Sequence, residues 1–333
     1  MLQDPQDPQD PQDPQDPPPA LRELLPSVNE QYQEIHNSRF NHPLHIQSPS
    51  PFTQESLLNF SIKQHSFIQQ LPQNNDQITI ILVRDITDVL LKRYAAATAQ
   101  LTGPVFIITD TYYPENKIPG YPTLNILYFF ENICYDNGYF YANTDTMSKR
   151  LIISWDRCLF FLANYTQLYK YVWILEDDVG IGGPLTLPRF YARFQESNAD
   201  LISGPPNINE KEVSDWPLWV TMRDSGLKSL WAAYVPICRF SRKFMETLAG
   251  FVKTKKRLFF IEVFFASLCI EYNLKVEYFR DLMPHFRFTP PISYEEASNP
   301  AIEYHLFHPV KDAALWQKIY DSTGGTKSTL TTN

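Results

Sequence analysis

The sequence predicts an α/β fold, with a mostly parallel sheet flanked by helices in a single domain. Short apolar runs rich in Val, Ile and Leu alternate with helix-like segments, beginning with the runs at 77–83 and 104–110. Such runs are typical of strands buried on both faces, and the order strand, helix, strand indicates a parallel, right-handed unit. The chain has 333 residues, 44% of them hydrophobic, which suffices to bury the core of one large domain.

The elements can be assigned in chain order from residue 77 onward. A helix at 88–98 joins the first two strands, 124–130 fits either a strand or a helix start, and 171–179 begins as a strand. Apolar residues recur at helical spacing over 147–169, with Ser154 as an internal start. Beyond these, the pattern predicts helices at 190–196, 240–252 and 259–272, strands at 200–204 and 275–279, and a Trp-rich loop that carries Trp216, Trp219 and Trp231.

The ends of the chain are predicted to lack a packed fold. Residues 3–17 are five copies of Gln-Asp-Pro, and a proline at every third position prevents both helix and sheet pairing. The predicted organisation is therefore a disordered repeat at 1–19, an irregular lead-in with one or two short helices at 20–75, a folded domain at 76–316 and a flexible tail at 317–333.

Charge and composition exclude several classes of protein. The formal net charge is −8, of which the five aspartates of the repeat carry −5, leaving −3 for the rest of the chain. A body so close to neutral argues against nucleic acid as a partner. The sequence contains no apolar run of 18 residues and no signal-peptide pattern, so we expect a soluble protein without a transmembrane segment, cytoplasmic by default, with the secretory lumen as the alternative.

The segment 171–179 is the most informative, because its apolar residues run directly into three carboxylates, Glu176, Asp177 and Asp178. Ligands of parallel sheets bind beyond the carboxyl ends of the strands. Side chains alternate along a strand, so Glu176 and Asp178 should share one side. Crowded carboxylates attract a proton or a cation, and hard oxygen ligands suit Mn²⁺ or Mg²⁺. The alternative is that these acids cap the following turn.

The acidic strand, the helix before it and the late histidines together resemble the nucleotide-diphospho-sugar transferases of the GT-A fold. The resemblance covers about 76–314 and is sharpest at 171–179 and 304–311. Those enzymes have a Rossmann-like sheet whose central strand ends in a D-x-D or related acidic motif, which binds a divalent metal and the sugar nucleotide. The resemblance implies that Glu176 and Asp178 bind Mn²⁺ or Mg²⁺ here.

The resemblance also implies a histidine from the end of the domain in the metal shell. The candidates are His305 and His308, of which only one is expected to reach the metal, and His308 is favoured because Pro309 fixes its backbone. The chain departs from the D-x-D pattern in having Glu at the first acidic position. This departure leaves open whether the metal is bound by Asp178 alone, by the pair, or through water.

Further residues are candidates for binding the nucleotide-diphosphate sugar. The carboxyl ends of the first two strands lie at the same sheet edge as the acids, and positively charged side chains near a diphosphate would stabilise it. Asp110 could instead start a turn, and the cations could belong to a solvated helix end. The candidates for donor binding are Arg84, Asp110, Lys149, Arg150, Asp156, Glu176 and Lys311.

Glu262 is the best candidate for a catalytic base, because it stands alone in an apolar segment where an unpaired carboxylate is costly to bury. The alternative is a salt bridge to the basic residues at 255–257. Asp177 is a second candidate base, and Asp215 and Asp224 are weaker ones. The tryptophans of the loop either stack on an acceptor sugar or pack in the core.

The sequence thus predicts a metal-dependent glycosyltransferase that moves a sugar from a nucleotide-diphosphate sugar to a hydroxyl of a glycan, protein or lipid acceptor, with inversion favoured by Glu262. One rival is a non-catalytic carbohydrate-binding protein on a degenerate transferase fold. Another is a metal-dependent phosphoryl-transfer or nuclease-like hydrolase, against which the lack of a P-loop motif, of a second acidic cluster and of a basic face counts.

Overall fold

The computed structural model describes residues 54–71, 76–142, 152–165, 168–211, 216–279, 290–298 and 306–321. Several predictions concern residues outside these ranges: the disordered repeat, most of the lead-in and of the tail, and the side chains of Lys149, Arg150, Asp215 and His305. The boundaries predicted for the folded domain, 76–316, stay a prediction.

The described residues form ten strands and nine α-helices. The strands are β1 (Gln77–Val83), β2 (Val105–Thr109), β3 (Lys117–Ile118), β4 (Tyr121–Leu127), β5 (Tyr171–Glu176), β6 (Gly180–Ile181), β7 (Leu201–Asn209), β8 (Trp231–Ser241), β9 (Val276–Tyr278) and β10 (Leu306–Phe307). The helices are α1 (Gln54–Gln69), α2 (Asp88–Thr98), α3 (Glu131–Asp136), α4 (Ser154–Tyr165), α5 (Thr186–Arg193), α6 (Arg242–Lys255), α7 (Ile261–Glu271), α8 (Tyr294–Ala297) and α9 (Ala313–Tyr320). A 3₁₀ helix spans Pro217–Ser225.

Eight strands make one sheet, in the order β3-β4-β2-β1-β5-β8-β7-β9. The pairs β4/β2, β2/β1, β1/β5 and β7/β9 are parallel, whereas β3/β4, β5/β8 and β8/β7 are antiparallel. With helices on both faces, the predicted α/β fold with a mostly parallel sheet is confirmed. None of the helices described has both the length and the apolar character needed to cross a bilayer.

The sheet separates two apolar cores, and the alternation of side chains along the strands decides which core each residue joins. Val172 and Ile174 of β5 belong to the core beneath α4, α6 and α7. Trp173 and Leu175 belong to the opposite core, which is covered by α2, α5 and α9. Continuing the alternation places Glu176 on the α4 and α7 face and Asp177 on the α2 face.

Strand β8 corrects the prediction of a loop around the tryptophans. Its sequence contains Pro236, a residue that cannot donate to a ladder and argues against a central strand. In the structure Pro236 lies beyond the last β5 pair, Leu175 with Ile237, and at a register shift of the β7/β8 ladder. Proline is tolerated here because neither ladder needs its missing N–H.

Helix boundaries differ from the predicted ones where caps decide them. The helix predicted at 147–169 is described from Ser154, and the one predicted at 240–252 begins at Arg242, because Ser241 caps it by accepting a hydrogen bond from the amide of Phe244. Helix α1 has 16 residues, longer than the short helices expected in the lead-in. The ambiguous segment at 124–130 is resolved as β4, which ends at Leu127.

Candidate active site

Two short strands bring the end of the chain to the acidic turn after β5. Leu306 and Phe307 of β10 pair antiparallel with Ile181 and Gly180 of β6. The amide of Val310 then donates a hydrogen bond to the backbone oxygen of Asp178 over 2.8 Å. This pairing across more than 120 residues places His308 beside Glu176 and Asp178.

Glu176, Asp178 and His308 form a cluster in which one possible ligand atom from each lies within 4.8 Å of the others. Nε2 of His308 is 3.1 Å from Oδ1 of Asp178 and 3.7 Å from Oε2 of Glu176. The ammonium of Lys311 forms an ion pair with the second carboxylate oxygen of Asp178. Of the two candidate histidines, the described one is therefore at the acids.

Two further side chains hold this cluster from outside. The indole Nε1 of Trp155 donates a hydrogen bond to Oε1 of Glu176. The hydroxyl of Tyr234 hydrogen-bonds to Nδ1 of His308. Neither residue is predictable as part of a site from the sequence, because Trp155 belongs to the apolar pattern of a helix and Tyr234 belongs to β8, a strand that the sequence pattern does not predict.

The charges of the cluster stabilise one another. Burial alone would lower the pKa of His308, but the nearby carboxylates of Asp178 and Glu176 outweigh it and raise the pKa to about 9. Burial would likewise raise the pKa of Asp178, but His308 and Lys311 hold it below its usual value. The two shifts have a common cause, the attraction between the carboxylate of Asp178 and the cationic forms of His308 and Lys311.

The donor set fits a divalent cation. Two carboxylates supply the hard oxygen ligands that Mg²⁺ and Mn²⁺ prefer, and an imidazole nitrogen is a common metal ligand as well. The site attracts positive charge: its carboxylates raise the pKa of His308, and the ammonium of Lys311 pairs with Asp178. A cation would compete with the proton on His308 for these same groups.

Glu262, the second residue of α7, is partly buried, and its charge interacts with those of Glu176 and His308. Burial, reinforced by Glu176, raises the pKa of Glu262 to about 8. Across the described part of the chain Glu262 forms no ion pair, so the predicted alternative of a salt bridge to residues 255–257 is not formed. Arg257 instead lies over the rings of Tyr141 and Phe259, at 4.9 and 4.7 Å from their centroids.

Asp177, the other candidate base, lies on the opposite face of β5, as the alternation requires. Its carboxylate accepts a hydrogen bond from the backbone of Arg84, and its charge is felt by Arg93 and Tyr94 of α2. Burial, reinforced by Asp178, raises the pKa of Asp177 to about 6. Asp177 is therefore separated from Glu262 by the strand.

The candidates for donor binding are spread over several environments. Arg84 is exposed and lies 3.9 Å from Asp85. Asp110 is paired with the fully buried guanidinium of Arg157 at 3.5 Å. Asp156 is buried, and its two carboxylate oxygens accept hydrogen bonds from the backbone, so its role in this structure is to anchor the chain around α4.

The tryptophans of the predicted loop differ in burial. Trp219 is 4% exposed and belongs to the core. Trp216 is partly exposed and packs edge-on against Trp219, with ring centroids 4.9 Å apart. Trp231, at the start of β8, is partly exposed and donates its indole N–H to Ser229 over 3.0 Å. Trp216 and Trp231 also pack against this core, but each of these two residues is partly exposed.

The chain is similar to several solved glycosyltransferases. The galactosyltransferase LgtC, solved in complex with donor and acceptor sugar analogs, matches with 11% identity and a TM-score of 0.42 over 74% of this chain and 95% of its own. Mouse xyloside xylosyltransferase 1 matches with 8% identity and a TM-score of 0.34 over 65% of this chain and 88% of its own. The bifunctional glycosyltransferase WbbM matches with 9% identity and a TM-score of 0.35 over 74% of this chain and 44% of its own.

No protein-family model matches the chain, and a search of curated proteins gives no match. Structural similarity at these TM-scores assigns no activity to this chain.

Proposed function

We propose that the protein is a metal-dependent glycosyltransferase that moves a sugar from a nucleotide-diphosphate sugar to a hydroxyl acceptor on a glycan, protein or lipid. The observation that carries this proposal is the convergence of Glu176, Asp178 and His308 at the carboxyl end of β5. Two carboxylates and an imidazole assembled at the end of a central strand suit a cation that holds a diphosphate.

Glu176, Asp178 and Nε2 of His308 would hold the cation, Mn²⁺ or Mg²⁺. When bound, such a cation neutralises charge on the departing diphosphate. The side chain of Lys311 is 65% exposed, and its ammonium already lies at the acids. Lys311 would therefore supply a second positive charge to the diphosphate, as predicted from its position after His308.

Glu262 would act as the base that takes the proton from the acceptor hydroxyl. A base works best with a pKa near the working pH, and the pKa of Glu262 is raised to about 8. The absence of an ion pair to Glu262 among the described residues leaves its carboxylate available. A base that activates the acceptor for direct attack favours inversion of the anomeric carbon, and NMR of the product anomer tests this.

The test of the proposal compares the wild-type protein with Asp178→Asn and with Asp136→Asn. The asparagine at 178 keeps the shape of the side chain and removes its charge, whereas Asp136 is an exposed residue at the end of α3. Calorimetry with Mn²⁺ and a panel of nucleotide-diphosphate sugars measures binding, and sugar transfer is followed with and without Mn²⁺.

We expect Mn²⁺-stimulated transfer by the wild type and by Asp136→Asn, and its loss in Asp178→Asn. Full transfer activity in Asp178→Asn would contradict the metal mechanism. Glycan binding without Mn²⁺-stimulated turnover in the wild type would instead identify a carbohydrate-binding protein, and metal-dependent cleavage of phosphate esters would identify a hydrolase.

A further inference from the structure

The two ring nitrogens of His308 have different partners. Nε2 faces Asp178 and Glu176, the other two members of the cluster. Nδ1 is hydrogen-bonded to the hydroxyl of Tyr234. Both side chains are buried, His308 with 6% and Tyr234 with 1% of its surface exposed. The protein thus surrounds both nitrogens of this imidazole, each with a different kind of group.

The position of Tyr234 follows from the register of the central strands. The antiparallel ladder of β5 and β8 ends at the pair of Leu175 and Ile237, and Tyr234 precedes Ile237 by three residues. It therefore lies beyond the end of β5, where the chain turns through the acids. The ring of Tyr234 meets the imidazole edge-on, with centroids 5.3 Å apart and an interplanar angle of 77°.

The hydroxyl of Tyr234 matters because of the way in which an imidazole binds a metal. A histidine binds a metal through a nitrogen that carries no proton, so binding through Nε2 requires the remaining proton to be on Nδ1. A tyrosine hydroxyl can accept that N–H with its oxygen. A buried Nδ1–H without an acceptor would cost free energy.

We propose that Tyr234 is a positioning residue for the metal site: its hydroxyl oxygen accepts the proton on Nδ1 and so keeps Nε2 of His308 as the metal-binding nitrogen. This inference rests on the proposed function, because it presupposes that the cluster binds a divalent cation. Strand β8 thus contributes no metal ligand of its own but sets the orientation and the tautomer of His308.

The first measurement is the affinity for Mn²⁺ alone, by calorimetry, of the wild type, Tyr234→Phe and Tyr191→Phe. Tyr191 is the matched control, since it is also a buried tyrosine with a hydroxyl partner, Thr79, at 3.3 Å, but it packs on Trp173 in the opposite core. We expect Tyr234→Phe to bind Mn²⁺ about 10- to 100-fold more weakly and Tyr191→Phe to bind it like the wild type. Thermal unfolding of both variants controls for loss of stability.

The second measurement is a spectroscopic signature that a merely structural role would not change. NMR of protein loaded with diamagnetic Zn²⁺ should show a slowly exchanging Nδ1–H of His308 in the wild type and in Tyr191→Phe. In Tyr234→Phe this proton loses its acceptor, and its signal should shift or exchange away. A signal unchanged in Tyr234→Phe would overturn the inference.

The outcomes separate this inference from the proposed function. If the wild type binds no Mn²⁺, both are wrong. If the wild type binds Mn²⁺ and Tyr234→Phe binds it equally well, the metal site stands and the role of Tyr234 is refuted. If Tyr191→Phe loses as much affinity as Tyr234→Phe, the effect comes from a weakened fold, and the role of Tyr234 is refuted as well.

Discussion

The indole Nε1 of Trp155 lies 2.6 Å from Oε1 of Glu176 and donates a hydrogen bond to it. The other carboxylate oxygen, Oε2, faces Nε2 of His308 at 3.7 Å. Glu176 thus divides its two oxygens between a buried outer partner and the cluster with His308. An aspartate would be one methylene shorter, so this division accounts for Glu at a position where the resembled family commonly has Asp.

Replacing Trp155 with Phe should weaken Mn²⁺ binding about tenfold, because an outer partner that orients a metal-binding carboxylate typically contributes this much to affinity. Calorimetry with Mn²⁺ measures the effect. Trp173→Phe is the control: Trp173 is buried in the opposite core, and within the described ranges its indole nitrogen has no hydrogen-bond partner. It should lower stability and leave the affinity for Mn²⁺ unchanged.

A double-mutant cycle with Glu176→Asp shows whether Trp155 acts through Glu176. Glu176→Asp should also weaken binding, and adding Trp155→Phe to it should cost little more, since residues in one hydrogen-bonded unit are not additive. Additive losses would contradict the division of the carboxylate between Trp155 and the cluster.

Replacing Glu262 with Gln should slow sugar transfer by about 10²- to 10⁴-fold, the usual contribution of a general base. The same change should raise stability at alkaline pH. The pKa of Glu262 is raised from 4.5 to about 8, so the stability gained from its protonation is complete below about 4.5 and is lost as the pH rises through about 8. A neutral glutamine has no such loss.

Thermal unfolding at pH 5 and pH 9, with initial rates of transfer, tests both effects of Glu262→Gln. The melting temperature of the variant should match that of the wild type at pH 5 and exceed it at pH 9. Glu246→Gln, at an exposed position of α6, should change neither quantity. An equal change in melting temperature at both pH values would contradict the raised pKa of Glu262. An unchanged rate of sugar transfer would exclude Glu262 as the base.

The parallel half of the sheet is predictable from sequence because β1, β2 and β5 are short runs of mostly apolar and β-branched residues that each need cover on two faces. The position of Glu262 in an apolar segment also marks it as a candidate site residue in the sequence, since burying an unpaired carboxylate costs free energy. Local patterns do not predict β8, because its proline is tolerated only through the registers of two neighbouring strands.

The assembled cluster of Glu176, Asp178 and His308 also cannot be predicted from local sequence patterns alone. The choice of His308 depends on the pairing of β10 with β6, which joins segments far apart in sequence. For Asp156 the local pattern indicates contacts that differ from those in the structure. Its position near cations in the sequence indicates phosphate binding, whereas in the folded chain its carboxylate oxygens accept hydrogen bonds from the backbone amides of Ala142 and Ile153.

Replacing Asp156 with Asn should destabilise the fold by about 1–3 kcal/mol, because one of two buried backbone N–H groups would then face an NH₂ group. The amides of Ala142 and Ile153 donate to the two carboxylate oxygens over 2.9 and 2.8 Å. Urea denaturation measures the change, with the exposed Asp136→Asn as control. A variant as stable as the wild type would show that these hydrogen bonds do not hold the chain around α4.

Replacing Gly180 with Ala should both destabilise the protein and weaken Mn²⁺ binding, because Gly180 lies where β6 meets the segment that carries His308. An added Cβ would lie 2.7 Å from Cγ2 of the buried Val310, so that segment would have to move, at a cost of about 1–3 kcal/mol.

Gly250→Ala is the matched control: nothing lies within 4 Å of its added Cβ, and within α6 the change should gain about 0.5–1 kcal/mol and leave Mn²⁺ affinity unaltered. Urea denaturation and calorimetry separate the two effects. Because His308 reaches the acids only through this packing, unchanged Mn²⁺ affinity in a measurably destabilised Gly180→Ala would show that the β6/β10 pair does not position the histidine.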